Sequence, residues 1–82
     1  MNDKGKHKAK KVADNIRKLR EFRGYSQEYV AAKISISQNA YSKIELGYSK
    51  ITINRLFQIA VVLEAELSWF LIDNHPTQLV SV

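Results

Sequence analysis

Gln38, Asn39, Ser42 and Lys43 are the residues of this chain whose types and spacing have chemistry to offer. Helical spacing gathers the four on one face and puts Tyr41 and Ile44 on another. Amide side chains near a helix N-terminus pair bidentately with adenine in a DNA major groove, and a lysine beside them reaches guanine or a phosphate. The chemistry is recognition by hydrogen bonding, not bond making. A polar helix face taken alone is also what an ordinary solvated surface helix presents, so the reading depends on the elements around it.

Other chemistries find little support. His7 lies in a basic stretch and His75 precedes Pro76 in a polar tail, without the local spacing of metal ligands. There is no cysteine, which excludes thiolate metal sites, disulfides and cysteine nucleophiles. No Gly-rich phosphate loop occurs, and no pairing of acidic residues suggests acid/base work. The expectation is a non-enzyme with no cofactor and no metal.

Two capped helices position the polar face. Ser26 and Ser37 each read as an N-cap whose hydroxyl accepts from an orphan amide of the first turn. Each has an apolar pair suited to a hydrophobic staple, Tyr25 with Val30 and Ile36 with Tyr41. Ser37 follows Ser26 by eleven positions. That leaves room for one short helix, from about Gln27 to Ile34, and a turn of about three residues, so the two helices meet at a steep angle. Gly47 closes the second of them. This is the geometry of a helix-turn-helix.

The flanking elements are helical too. Val12, Ile16 and Leu19 repeat at helical spacing and define a first helix ending near Gly24, a left-handed C-cap. Val30, small Ala31 and Ile34 point inward from helix two. Thr52 opens a fourth helix, stapled by Ile51 and Leu56 and buried along Leu56, Ile59, Ala60 and Leu63. Ser68 caps a short fifth helix containing Trp69 and Phe70, with a Leu67/Ile72 staple. Residues 1–10 are expected to be a flexible basic arm, 11–73 the folded domain and 74–82 a tail. In that tail Thr77 to Val82 alternates like a short strand or simply frays. An all-α, compact five-helix bundle follows.

Charge is unevenly spread over the 82 residues. Residues 1–24 carry nine Lys/Arg against three acids, a net +6, residues 25–50 a net +1 and residues 51–82 a net −2. A basic end neutralises phosphates while an acidic end stays clear of DNA. Lys8, Lys10 and Lys11 are the backbone-contact candidates of the arm, which otherwise reads as a solubilising tail. An arm of this kind gives affinity without sequence choice. No apolar run approaches a membrane span and no signal peptide is evident, so a soluble cytoplasmic protein is expected. A chain this short only just buries a core of its own, which a dimer interface would supplement.

From Ile16 to Leu71 the chain resembles the Xre/Cro-like helix-turn-helix family, which includes the lambdoid phage repressors. The resemblance is carried by Ile16-Arg17-Lys18-Leu19-Arg20, Gly24-Tyr25-Ser26-Gln27-Glu28, Ala31, Ile36-Ser37, Ile44-Glu45 with Gly47, Leu56, and Ile59-Ala60. It implies a lambda repressor-like DNA-binding fold. It also implies that Gln27 contacts a DNA phosphate and braces Gln38. Gln38, Asn39, Ser42 and Lys43 would face base edges or nearby phosphates, and Tyr48, Ser49 and Lys50 would hold the DNA backbone. Arg20 and Glu45 match a pair that forms a partly buried salt bridge between helices one and three. Two positions depart from the pattern. Ser35 stands where the inter-helix turn usually has Gly, so it takes either a strained left-handed conformation or a different turn. Tyr41 stands where an aliphatic residue is usual, and its hydroxyl needs a partner or an exit to solvent. A core role with an exposed tip is favoured over a reach toward DNA.

The functional expectation is a sequence-specific transcriptional regulator that binds double-stranded DNA as a homodimer, on a palindromic operator, with helix five as a plausible contact between protomers. The alternative is a protein-interaction module, an antitoxin covering a toxin or an adaptor to the transcription machinery.

Overall fold

A computed structural model describes residues 3–72, with side chains from Lys8 onward. The helices are α1 (Asp3–Arg23), α2 (Gln27–Lys33), α3 (Gln38–Glu45), α4 (Ile53–Leu63) and α5 (Leu67–Phe70), and no strand occurs among the described residues. The alternating segment Thr77 to Val82 and His75 lie outside the described residues.

Hydroxyl caps start three of the helices. Ser26 Oγ accepts from the Tyr29 amide at 2.9 Å, Ser37 Oγ from Ala40 at 3.1 Å and Thr52 Oγ1 from Arg55 at 3.1 Å. Each bond satisfies one of the orphan amides of a first turn. The fifth helix differs from expectation. Ser68 lies inside it, and Glu66 occupies the N-cap without a side-chain bond. Burial of Phe70, with Trp69 edge-on to it at 5.3 Å between ring centres, sets the phase of this short helix in place of a cap.

The first four helices end alike. In each, a left-handed residue follows the helix and two amides fold back onto its last carbonyls: Tyr25 to Arg20 and Gly24 to Glu21, Ile36 to Ala31 and Ser35 to Ala32, Tyr48 to Lys43 and Gly47 to Ile44, Ala65 to Ala60 and Glu64 to Val61. Gly24 and Gly47 take the left-handed position at no steric cost. Ser35 and Glu64 take it with φ of 60° and a β-carbon to accommodate. The turn between α2 and α3 is thus the ordinary one, entered by a residue that strains to make it.

α1 is longer than the sequence reading expects. The basic stretch assigned to an arm is, from Asp3 onward, the leading part of the helix. Lysine and alanine are good helix formers, and Lys10 pairs with Asp14 at 3.2 Å across one turn, as Arg17 does with Glu21 at 3.4 Å. Nothing after Gly5 breaks the helix, so it runs on from the core-facing residues toward the N-terminus.

α1 packs against α3, α4 and α5, while α2 packs against α3 and α4. Ile16 and Leu19 of α1 meet Val30, Ala31 and Ile34, then Tyr41 and Ile44, then Leu56, Ile59, Ala60 and Leu63, with Phe70 closing the far end. Two polar residues of α1 lock that end. Buried Asn15 donates to the Phe70 carbonyl at 2.9 Å and to that of Ile72 at 2.8 Å. Arg23 donates from Nε to the Leu63 carbonyl at 2.9 Å and from Nη2 to that of Glu64 at 3.0 Å, taking carbonyls at the end of α4.

Tyr41 is fully buried, so the exposed tip expected of it is absent. Its hydroxyl lies in the interior without a well-formed hydrogen bond. Burial first, and the neighbouring Glu45 carboxylate second, push its pKa far above the ordinary tyrosine value, and it remains a neutral phenol.

Ser35→Gly is expected to raise stability by up to about 1 kcal/mol, the relief of left-handed strain less the added freedom of the unfolded chain. Chemical denaturation of the two proteins measures this directly, and a loss of stability would show that the Ser35 side chain makes a compensating contact.

Candidate nucleic-acid interface

α3 has two dissimilar faces. Tyr41, Ile44 and Glu45 are buried, whereas Gln38, Asn39 and Lys43 are exposed and Ser42 is half-buried at the margin. The four polar residues singled out in the sequence therefore share the outer side of one short helix, with donors and acceptors turned to solvent. Recognition of this kind needs a rigid support, because hydrogen bonds to base edges tolerate little misplacement.

The support is a charged network reaching all three N-terminal helices. Arg20 of α1 donates to Glu45 of α3 through Nε at 2.6 Å and Nη2 at 3.0 Å, a two-pronged pairing. Its remaining Nη1 donates to the Tyr25 carbonyl in the α1–α2 turn at 2.9 Å. Gln27 of α2 donates from Nε2 to Glu45 Oε1 at 3.0 Å. This differs from the bracing of Gln38 that the resemblance implies. An ionised, buried carboxylate is a stronger acceptor than a neutral amide, so Gln27 turns to the end of α3 and not to its start.

The Glu45 side chain is only 2% exposed. Burial alone would push its carboxyl upward, but hydrogen bonds from Arg20 and Gln27, with the nearby Tyr41 hydroxyl, outweigh that and hold the pKa below the ordinary glutamate value. The same pairing raises the pKa of Arg20 against the lowering effect of its own burial. Tyr41 contributes by proximity, its hydroxyl lacking bond geometry toward the carboxylate.

Beyond α3, Tyr48 and Lys50 are exposed and Ser49 is half-buried, in the loop that leads to α4. α1 returns to this loop. A β-carbon on Gly47 would lie 3.3 Å from Lys10 Cδ, so the lysine stem runs directly over the glycine. Ala9 and Val12 share one groove with Tyr48, Ser49 and Lys50. Lys10 thus stands next to the three loop residues assigned to the DNA backbone; Lys8 is exposed and Lys11 half-buried on the same helix. Continuation of the helix, which the sequence reading did not anticipate, is what holds these lysines at a fixed place.

The sequence reading also missed three anchors. Arg55 of α4 donates from Nη1 to the Ile34 carbonyl at 3.2 Å, fastening α4 to the α2–α3 turn. Arg23 and Asn15 fix α4 and α5 as described above. Asn15 carried a legible signal, since it falls on the apolar stripe of Val12, Ile16 and Leu19, where a polar side chain must find a partner. Arg23 and Arg55 carried none, because their partners are backbone carbonyls of distant segments.

A model of the helix-turn-helix family matches residues 16–70, more than half of the chain. The chain belongs to that family, in its Xre/lambda-repressor-like branch. No curated protein and no solved structure matches it. It is a DNA-binding regulator in the general sense that this family defines. Among the described residues, no helix is long and apolar enough to cross a membrane.

Arg20→Met leaves the Glu45 charge buried without its partner and is expected to cost about 3–5 kcal/mol in denaturant unfolding. Because the folded pKa of Glu45 is depressed, its contribution is fully present above the ordinary value of 4.5 and is lost as pH falls through the lower folded value. Thermal melts followed from neutral pH into the acid range should show this loss in the wild type and less of it in Glu45→Gln, which has no carboxylate there to protonate.

Proposed function

We propose that the protein is a sequence-specific transcriptional regulator that reads a palindromic operator as a homodimer. The observation that carries this reading is the division of α3. Its inner face is fixed by Tyr41, Ile44 and the Arg20–Glu45 pair, while Gln38, Asn39 and Lys43 are exposed beside Ser42. Gln38 and Asn39 pair with adenine edges, Lys43 with guanine or phosphate, and Ser42 with whichever group lies at the groove margin. Tyr48, Ser49 and Lys50, with Lys8, Lys10 and Lys11, hold phosphates and set the register. Gln27, the first residue of α2, stiffens the support through Glu45 and meets a phosphate at the start of that helix. Two such modules on half-sites about one helical turn apart supply the specificity that one short helix lacks. Such a regulator works in the cytoplasm, on promoter DNA.

The test is a binding titration of the purified chain against duplex DNA from upstream of its own gene and against a scrambled duplex, at low and near-physiological salt. Preference for the upstream duplex that survives the higher salt, with two protomers bound, is the expected result. Equal, weak binding that vanishes with salt would overturn it and bring forward a protein-interaction module.

Gln38→Ala or Asn39→Ala should lose about 1–3 kcal/mol on the preferred duplex and little on the scrambled one. Equal losses on both would remove these residues from base reading. Neutralising Lys8, Lys10 and Lys11 together should weaken both duplexes alike and reduce the slope of log K against log salt by up to about 3. An unchanged slope would show that these lysines meet no phosphate.

A further inference from the structure

One exposed side chain of α3 has no part in the reading above. Ala40 is open to solvent, whereas the other apolar residues of the helix, Tyr41 and Ile44, are buried in the core. At about 100° per residue, Asn39 and Lys43 point most directly outward, and Ala40 and Ser42 flank them at equal angles on either side. Of the two flanking positions Ala40 is the more open. Its flank is also the one turned to the loop before α4. Ala40 shares a groove with Ser49 and Lys50, two of the residues assigned to the DNA backbone. It therefore lies between the outward residues of α3 and a loop that holds phosphate.

We propose that Ala40 is a specificity-determining residue, which reads a thymine through its 5-methyl group at one base pair of each half-site. The inference rests on the operator-reading function proposed above and adds an apolar contact to it. Position is the first support. In the major groove the hydrogen-bonding atoms of a base pair lie toward its middle, while the 5-methyl of thymine lies at the rim, beside the backbone of its own strand. A side chain set between base-reading residues and a backbone-holding loop meets that rim.

Chemistry is the second. Among the four bases only thymine presents a methyl group in this groove, and contact with an alanine methyl removes apolar surface from water on both partners. Gln38, Asn39, Ser42 and Lys43 offer donors and acceptors, which no methyl group can satisfy. Precision is the third. Alanine has no side-chain torsion to set, so the backbone alone places its β-carbon, and no rotamer freedom is lost when DNA is bound. That backbone is held at both ends of α3. Ser37 Oγ accepts from the Ala40 amide at 3.1 Å in the first turn, and Arg20 and Gln27 hold Glu45 in the last.

Exchange of thymine for uracil removes this methyl and leaves every hydrogen-bonding group of the base pair in place. The test is a titration of the full chain against the upstream duplex with each thymine exchanged for deoxyuridine in turn, and against the scrambled duplex as the reference for non-specific binding. One thymine of each half-site is expected to lose affinity about threefold to fivefold on exchange, the worth of one buried methyl group. Ala40→Gly should bind the thymine duplex more weakly by a similar factor and treat thymine and uracil alike at that position, with its response at every other position unchanged. Ala40→Ser, which disturbs the helix less than glycine does, should lower the thymine-to-uracil ratio at the same position. Thermal melts check that both variants are folded. Undiminished discrimination at that thymine in both variants, or no uracil-sensitive thymine in a duplex that the protein prefers, would overturn the role of Ala40 and leave the operator reading standing. Equal binding of the upstream and scrambled duplexes would overturn the operator reading itself, and the role of Ala40 with it.

Discussion

The pairing of Arg20 with Glu45 is the constraint on which the rest of the arrangement depends. A buried carboxylate is expensive unless its charge and lone pairs are met, and here one guanidinium supplies two bonds and Gln27 a third. Those three residues sit on α1, α3 and α2, so satisfying one charge fixes the relative placement of three helices. The third arm of Arg20 reaches the Tyr25 carbonyl and includes the α1–α2 turn in the same unit. Apolar packing alone would allow α3 to slide or rotate slightly at small cost. A directional, desolvated network does not. The outer residues of α3 inherit that rigidity, which is what hydrogen-bonded recognition demands.

Backbone strain is accepted where it serves the same end. Ser35 stands in the left-handed position of the α2–α3 turn with no glycine to relieve it, and the two backbone bonds of the turn, from Ser35 and Ile36, close it nonetheless. Arg55 takes the adjoining Ile34 carbonyl, so a distant helix helps to satisfy the turn. Tyr41 is a second accommodation. Its ring fills the centre of the core and its hydroxyl goes without a well-formed bond, beside a charge network that already uses the available partners. A side chain larger than the usual aliphatic one gains contact area there and leaves a polar atom under-satisfied.

The surface divides into regions of different chemistry, and the division follows from the helices that carry them. The outer side of α3, the loop to α4 and the nearby lysines of α1 are polar and positive. The Ile53–Phe57–Val61 side of α4 is apolar, with Lys50 in the groove beside Ile53 and Lys33 in the groove beside Val61. The two regions meet in the groove that Tyr48, Ser49 and Lys50 share with Ile53 and Leu71.

By itself the sequence determined the number of helices, the start of α2, α3 and α4, and which residues of α3 face out. These rest on short-range physics: hydroxyl caps at Ser26, Ser37 and Thr52, apolar repeats at helical spacing, and glycine at two of the turns. The Arg20–Glu45 pair was legible only through the resemblance to a family, because nothing local joins residues that far apart. Tertiary structure decided what depends on distance through space. It buried Tyr41 completely, turned Gln27 to Glu45 in place of Gln38, and set the phase of α5 by Phe70 and not by Ser68. It also brought Lys10 over Gly47 by continuing α1 through the basic stretch, and assigned Asn15, Arg23 and Arg55 to carbonyls of remote segments. Caps and periodicities are written in neighbouring residues, whereas the partner of a buried polar group is chosen by the fold, and no spacing along the chain records it.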